Sequence, residues 1–192
     1  MNFLVLIVSF ITIACSHNDN GKSSISQDSV VTESESTSAL DTLQIINEIT
    51  KQYAEINSKA AKYNKVEKEV YDESTEGAIL TAYYDNKVLK KITGTYYRET
   101  GKTIMEYYFN GTDFFFIYSK EVNYEKPLSM DHTGKISNTK ENRYHFYKKN
   151  LIKWITGNIT VSINSKEFSE QNKFFKEDFE KYKKLFTNYT PR

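Results

Sequence analysis

Apolar residues recur every three or four positions from Leu40 through Leu43, Ile46, Ile49, Tyr53, Ile56, Ala60 and Tyr63. That spacing keeps to one face of a 3.6-residue helix and predicts an amphipathic helix with its stripe on a core. Ser38 with Asp41 three residues on reads as a variant capping box, so the helix is expected to begin near Ser38. A second stripe, Phe168, Phe175, Phe179, Tyr182 and Phe186, predicts another helix over Ser165 to Tyr189, with Ser165 as its N-cap. Between the two stripes the period changes to two.

The strand-like segments are Val66 to Tyr71, Ala78 to Tyr84, Lys87 to Arg98, Thr103 to Phe109, Asp113 to Val122, Arg143 to Tyr147, Leu151 to Ile155 and Ile159 to Ile163. Asp85-Asn86, Thr100-Gly101-Lys102, Asn110-Gly111, Lys149-Asn150 and Gly157-Asn158 punctuate them. Asn-Gly is a strong hairpin signal because both residues tolerate positive φ. Such short connectors require antiparallel neighbours, hence a meander. Lys126 to Asn142 reads as the one long loop. The expected fold is α+β: an antiparallel meander of about 6–8 strands, flanked by an N-terminal and a C-terminal helix.

Three hairpins look alike. Tyr83-Tyr84-Asp85-Asn86, Tyr107-Tyr108-Phe109-Asn110-Gly111 and Tyr144-His145-Phe146-Tyr147 each join an aromatic strand end to a polar turn and a return strand. Their spacing is uneven, unlike the fixed period of a solenoid or propeller. Phe114 to Tyr118 is apolar on both alternating faces. That strand is expected to be buried on both sides, with the alternative that one side is an open aromatic platform. An open face would offer Tyr83, Tyr97, Tyr107, Phe115 and Trp154 to a partner.

The run Phe3 to Ala14 is apolar and uncharged. It falls well short of the ~20 residues of a membrane-spanning helix and suits the apolar core of an export signal. Ala14 is the small residue at the cleavage point and Cys15 follows it. Thr12-Ile13-Ala14-Cys15 resembles a bacterial lipobox, which implies a diacylglycerol thioether on Cys15 and cleavage after Ala14. Ser16 to Ser38 is rich in Ser, Thr and Asn without apolar period, as in a disordered tether. The expected organisation is therefore a signal peptide over 1–14, a lipidated tether over 15–38 and one domain over 39–192.

Composition narrows the function. The 192 residues carry 26 basic and 25 acidic side chains, so no basic stripe points to nucleic acid. Aromatic residues make up 15% of the chain, enough large rings to build a core with few Leu or Val. A single cysteine excludes an internal disulfide. His17 falls in the tether, His132 in the long loop beside Asp131, and His145 within a strand. No metal-ligand spacing, nucleophile elbow or phosphate-binding loop is present, so neither metal nor cofactor is expected. Glu67 and Glu69 share a strand face, which is read as a solvated face rather than an acid–base pair. The sequons at Asn110, Asn158 and Asn188 are read as chance triplets of an Asn-rich chain.

With these hairpins and the lipobox-like segment, the chain resembles small lipoproteins of unknown function common in Bacteroidota. A fainter similarity is to MORN-like repeats. The resemblance implies export and attachment to the cell envelope, and Ser16 after the cysteine is compatible with the outer membrane. The expected function is a non-catalytic, lipid-anchored domain that binds an envelope protein or glycan through its sheet. Two alternatives stand beside it: an inhibitor or immunity-type lipoprotein acting on a hydrolase through the long loop, and a hydrolase whose residues converge only on folding.

Overall fold

A computed structural model describes residues 32–71 and 74–186. Among the described residues eight strands follow the chain in order: β1 (Asn64–Val70), β2 (Ala78–Asp85), β3 (Val88–Arg98), β4 (Gly101–Asn110), β5 (Asp113–Tyr124), β6 (Ile136–Tyr147), β7 (Asn150–Thr156) and β8 (Ile159–Thr160). They form one antiparallel meander in which every strand pairs with its neighbours in sequence. Helix α1 (Thr32–Lys59), continued by a short 3-10 turn over Ala60–Lys62, precedes the sheet, and α2 (Lys166–Phe186) follows it. The fold is α+β, with one helix against each face.

The recurring hairpins have a structural meaning. Each closes with a two-residue turn and then carries one extra residue in its return strand. Tyr83 pairs with Lys91 and Tyr84 with Leu89, leaving Lys90 over. Tyr108 pairs with Phe116 and Phe109 with Phe114, leaving Phe115. His145 pairs with Lys153 and Phe146 with Leu151, leaving Ile152. A bulge of this kind tightens the local twist and breaks the strict alternation of faces. In each hairpin the first aromatic of the pair turns towards α1 and the second towards α2. Tyr84, Phe109 and Phe146 thus join the core under α2, whereas Tyr83 and Tyr108 join the cluster under α1. The equivalent positions are Tyr83, Tyr108 and His145, one residue out of step with an alignment on Tyr107 and Tyr144.

The same bulge explains the apolar run. Phe114 and Ile117 face α2, while Phe115 and Phe116 face Ile49, Ile56 and Tyr63 of the N-terminal helix and turn. Both sides of this strand are buried.

Four sequence expectations need correction. Helix α1 already runs at Thr32, the first described residue, so Ser38 and Asp41 lie inside it and do not cap it, and the last part of the expected tether is helical. Extending a formed helix adds a hydrogen bond for each residue fixed, so polar residues can be drawn in. Leu43 of the predicted stripe is 59% exposed. The long loop is shorter than expected, because β5 runs on to Tyr124 and the polar residues Ile136 to Asn142 pair with it as the start of β6. What remains is tied down by Leu128 N–H to Glu99 O and Glu125 N–H to Lys135 O. Finally, β8 keeps only Ile159 and Thr160: Val161 still donates its N–H to Trp154 O and packs on the α2 core, and the chain turns at Ile163 and Asn164 to enter α2.

Helix α2 begins as expected: the Ser165 hydroxyl accepts the Phe168 N–H at 3.2 Å. Its stripe, Phe168, Phe175, Phe179, Tyr182 and Phe186, is wholly buried. The expected export signal with Ala14, the expected lipidation site Cys15, and His17 lie outside the described residues.

Candidate functional site

A hollow of about 580 Å³ lies between α2 and strands β3 to β6. Its apolar walls are Tyr96, Met105, Tyr107 and Tyr144 from the sheet, with Phe174, Phe175 and Tyr182 from the helix. Polar groups enter from both sides: Arg98, Thr103 and Ser119 from the strands, Gln171, Asp178 and Lys181 from α2, and Ser74 and Thr75 from the β1–β2 connection. The alternation of the strands explains this set. Tyr96 and Arg98 are two apart on β3, so they share the α2 face with Met105 and Tyr107 of β4.

Gly94 shapes the floor. A Cβ there would lie 2.8 Å from the Tyr96 ring and 2.9 Å from Leu80, so only glycine lets that ring lie back along the strand. The Tyr96 hydroxyl and the Arg98 Nε are buried and have no hydrogen-bond partner, two of four such side-chain atoms among the described residues. The Arg98 guanidinium is loosely held: Nη1 and Nη2 both sit 3.4 Å from one Glu121 oxygen, and Nη2 is 3.5 Å from Asn123 Oδ1. Across the hollow, Tyr107 donates its hydroxyl proton to Asp178. Burial alone pushes the Tyr144 phenol well above its ordinary range, so it stays protonated.

A smaller groove, about 340 Å³, lies on the α1 face between Ile49, Thr50 and Tyr53 of the helix and Phe116, Tyr118, Glu141, Arg143 and His145 of the sheet. His145 is 6% exposed, stands edge-on to Phe116 at 5.1 Å, and has no partner for Nδ1. Burial, reinforced by the Lys153 and Arg143 charges, pushes its pKa down to about 4. Tyr118 is pushed up to about 12, first by burial and then by its hydrogen bond to Glu141, whose carboxyl that bond holds low.

His145 makes stability depend on pH. In the unfolded chain it takes up a proton near pH 6.5, while the folded chain resists down to about pH 4. The unfolded state binds more protons across that window, so stability is full above it and falls as the pH drops through it. The loss should reach about 3 kcal/mol at the acid end. Urea titrations at stepped pH should show this slope reduced in His145→Phe, whose ring suits the same niche. An identical slope in the variant would exclude His145 as its source.

The residues expected to form one aromatic platform divide between the two faces. Tyr107 lines the α2 hollow, and Trp154 stacks on Tyr144 at 5.4 Å behind it, its Nε1–H donated to Asn142. Tyr83 and Phe115 belong to the α1 cluster, and Tyr97, next to Tyr96 on β3, points to that same side at the exposed end. Asp131 and His132 stay in the surface loop, where Asp131 accepts the Thr133 N–H. Glu67 and Glu69 are exposed on the edge strand β1. Among the described residues no group of three His, Cys, Asp or Glu could hold a metal ion.

Sequence reasoning missed Tyr96, Arg98, Asp178 and Lys181. A signal existed for one of them: Asp178 falls three residues after Phe175 and four before Tyr182, a carboxylate set on an apolar stripe. No described helix is long and apolar enough to cross a membrane. Comparison with protein-family models, with curated proteins and with solved structures gives no match for this chain.

Proposed function

We propose that this protein is an exported, lipid-anchored binding protein of the bacterial cell envelope that holds a glycan or protein group in the α2 hollow without transforming it. One observation carries the reading: rings and polar groups converge on a hollow of about 580 Å³. Small-ligand sites span roughly 300–1,000 Å³ and combine apolar walls with a few placed polar groups. A sheet braced by a helix on each face supplies the rigid support that such a site needs. The direct test fills the hollow. Thr103→Trp should abolish the thermal shift that a bound ligand produces in the full chain while keeping the unliganded melting temperature. A shift that persists in the filled variant would place binding elsewhere.

The anchor rests on the apolar leader and the lipobox-like segment ending at Cys15. Two or more acyl chains on that residue would hold the protein stably, where one would not. Cys15→Ser is therefore expected to move the chain from the membrane to the soluble fraction and to remove the lipid mass from its N-terminus. Undiminished membrane retention would defeat this part of the reading.

A second reading, a hydrolase, draws on the same hollow because Asp178, Lys181 and the Tyr107 hydroxyl meet there. It predicts product formation that disappears in Asp178→Asn. Ligand binding with no product in either protein separates the two readings. The loop between β5 and β6, which the inhibitor reading would use, is hydrogen-bonded to the sheet end through the Leu128 and Glu125 N–H groups.

A further inference from the structure

We infer that the α2 hollow takes a neutral saccharide, whose ring lies on Phe174 while its hydroxyls bond to Gln171, Thr103 and Ser119. This rests on the reading of the hollow as a binding site and specifies its ligand.

The three charged side chains that line the hollow are already engaged. Arg98 is ion-paired with Glu121 at 3.4 Å, Asp178 accepts from Tyr107, and Lys181 is likewise not free. A charged ligand group would give up its hydration there without gaining an opposite charge. The neutral polar groups differ. Thr103, Ser119 and Gln171 line the same hollow and make no side-chain hydrogen bond among the described residues. Ser119 is 8% exposed, yet its hydroxyl is not enclosed as the Tyr96 hydroxyl is, so it opens on the hollow. Thr103 is its diagonal neighbour across the β4–β5 pair, two residues from the Met105 that stands opposite Ser119. Hydroxyls and an amide both donate and accept, as a polyhydroxylated ligand requires. An apolar ligand would take water from all three and return no bond.

The rim decides what kind of hydroxylated ligand this is. Gln171, Phe174 and Asp178 follow at three- and four-residue spacing, so they stand in one row along α2 at the edge of the hollow. Phe174 is 51% exposed in that row, while Phe175 beside it is buried against the sheet. A ring left half in water contributes little to the core and presents a flat apolar surface. A pyranose has the matching surface, a face of C–H groups edged by hydroxyls. Laid on Phe174, it would turn those hydroxyls towards Gln171 on the helix and towards Thr103 and Ser119 on the sheet. A peptide lacks that union of a flat C–H face with a hydroxyl edge.

The experiment titrates the full chain, in a detergent without a sugar headgroup, with short oligomers of glucose, galactose and mannose, with their uronate counterparts, and with a neutral Ser- and Asn-rich peptide. At least one neutral sugar should bind about ten-fold or more tightly than its uronate and than the peptide. Phe174→Ala should weaken it about ten-fold. Thr103→Val, which keeps the shape and removes the hydroxyl, should weaken it about three- to ten-fold. Both variants should keep the melting temperature of the unliganded protein to within a few degrees. Tighter binding of a uronate overturns the neutral assignment, and preference for the peptide overturns the saccharide; either leaves the hollow as the site if Thr103→Trp abolishes it. A neutral sugar that binds both variants as well as the parent lies outside the hollow and overturns the assignment. Failure of every probe to bind the folded protein overturns it as well. The broader reading then stands or falls on the filled Thr103→Trp variant.

Discussion

Removing the Glu106 side chain by Glu106→Ala is expected to destabilise the fold by about 3–5 kcal/mol, the range for breaking a buried ion pair from one side. For a chain of this size that corresponds to a fall of roughly 6–20 °C in melting temperature. Lys91 is 7% exposed and lies under α1, where its ammonium donates to Glu106 Oε1 at 2.7 Å and to Asn57 Oδ1 at 3.2 Å. The Tyr108 hydroxyl donates to the other Glu106 oxygen at 2.6 Å, and burial together with that carboxylate raises the phenol far above its usual range. Lys91 also stands 4.9 Å above the Tyr108 ring. Without Glu106, the desolvated ammonium and the buried Tyr108 hydroxyl are left to share one neutral acceptor, Asn57 Oδ1, at 3.2 and 3.1 Å. The pair itself need not favour folding strongly, because desolvating both charges offsets much of their attraction. Hence Lys91→Met combined with Glu106→Leu should be far less harmful than Glu106→Ala alone. Urea denaturation of both proteins gives the comparison, and a double variant as unstable as the single one would show that the loss comes from packing instead. Asn57 is the α1 residue in this network, so the damage should centre on the docking of that helix.

The fold was legible in the sequence to the extent that local rules decide it. Period-two segments, Asn and Gly turns and two helical stripes give the strand order of a meander with no further information. Asn86 and Gly111 have positive φ, as their turns require. The third hairpin turns one residue earlier than its Asn150 suggests, at Lys148 and Lys149, both with positive φ. Lysine is a costly choice there. The position is set by the pairing of Tyr147 with Asn150, and Lys149 meets Asp113 at 3.1 Å. The candidate site was less legible because faces depend on bulges. Strict alternation puts Phe114 and Phe116 together, yet the extra residue at Phe115 sends Phe116 to the α1 side. A bulge has no residue signature in these three hairpins, where the extra residue is Lys90, Phe115 or Ile152. Arg98 and Asp178 are distant in sequence, and only the docking of α2 brings them to one hollow. The same limit applies to His145, whose burial depends on α1 crossing its face.

Two neighbouring phenylalanines of α2 should respond to truncation in opposite ways. Phe175 is 1% exposed and meets Tyr144 at 4.6 Å, Phe146 at 5.7 Å and Tyr107 at 6.5 Å, all edge-to-face. Phe175→Ala removes the ring that joins strands β4 and β6 to the helix and leaves a void that those rigid partners cannot close. The expected loss is about 3–5 kcal/mol, made up of the transfer of the ring and the cavity left behind. Phe174 is half in water, so Phe174→Ala should change stability by less than about 1 kcal/mol. Its effect should fall on ligand affinity, because its ring is at the mouth of the hollow and carries little of the core. Denaturation curves measured beside binding isotherms separate the two quantities. Comparable losses of stability would mean that α2 presents a different face to the sheet. That rotation would also carry Asp178 away from Tyr107 and dissolve the hollow, so the stability contrast tests the site's geometry before any ligand is known.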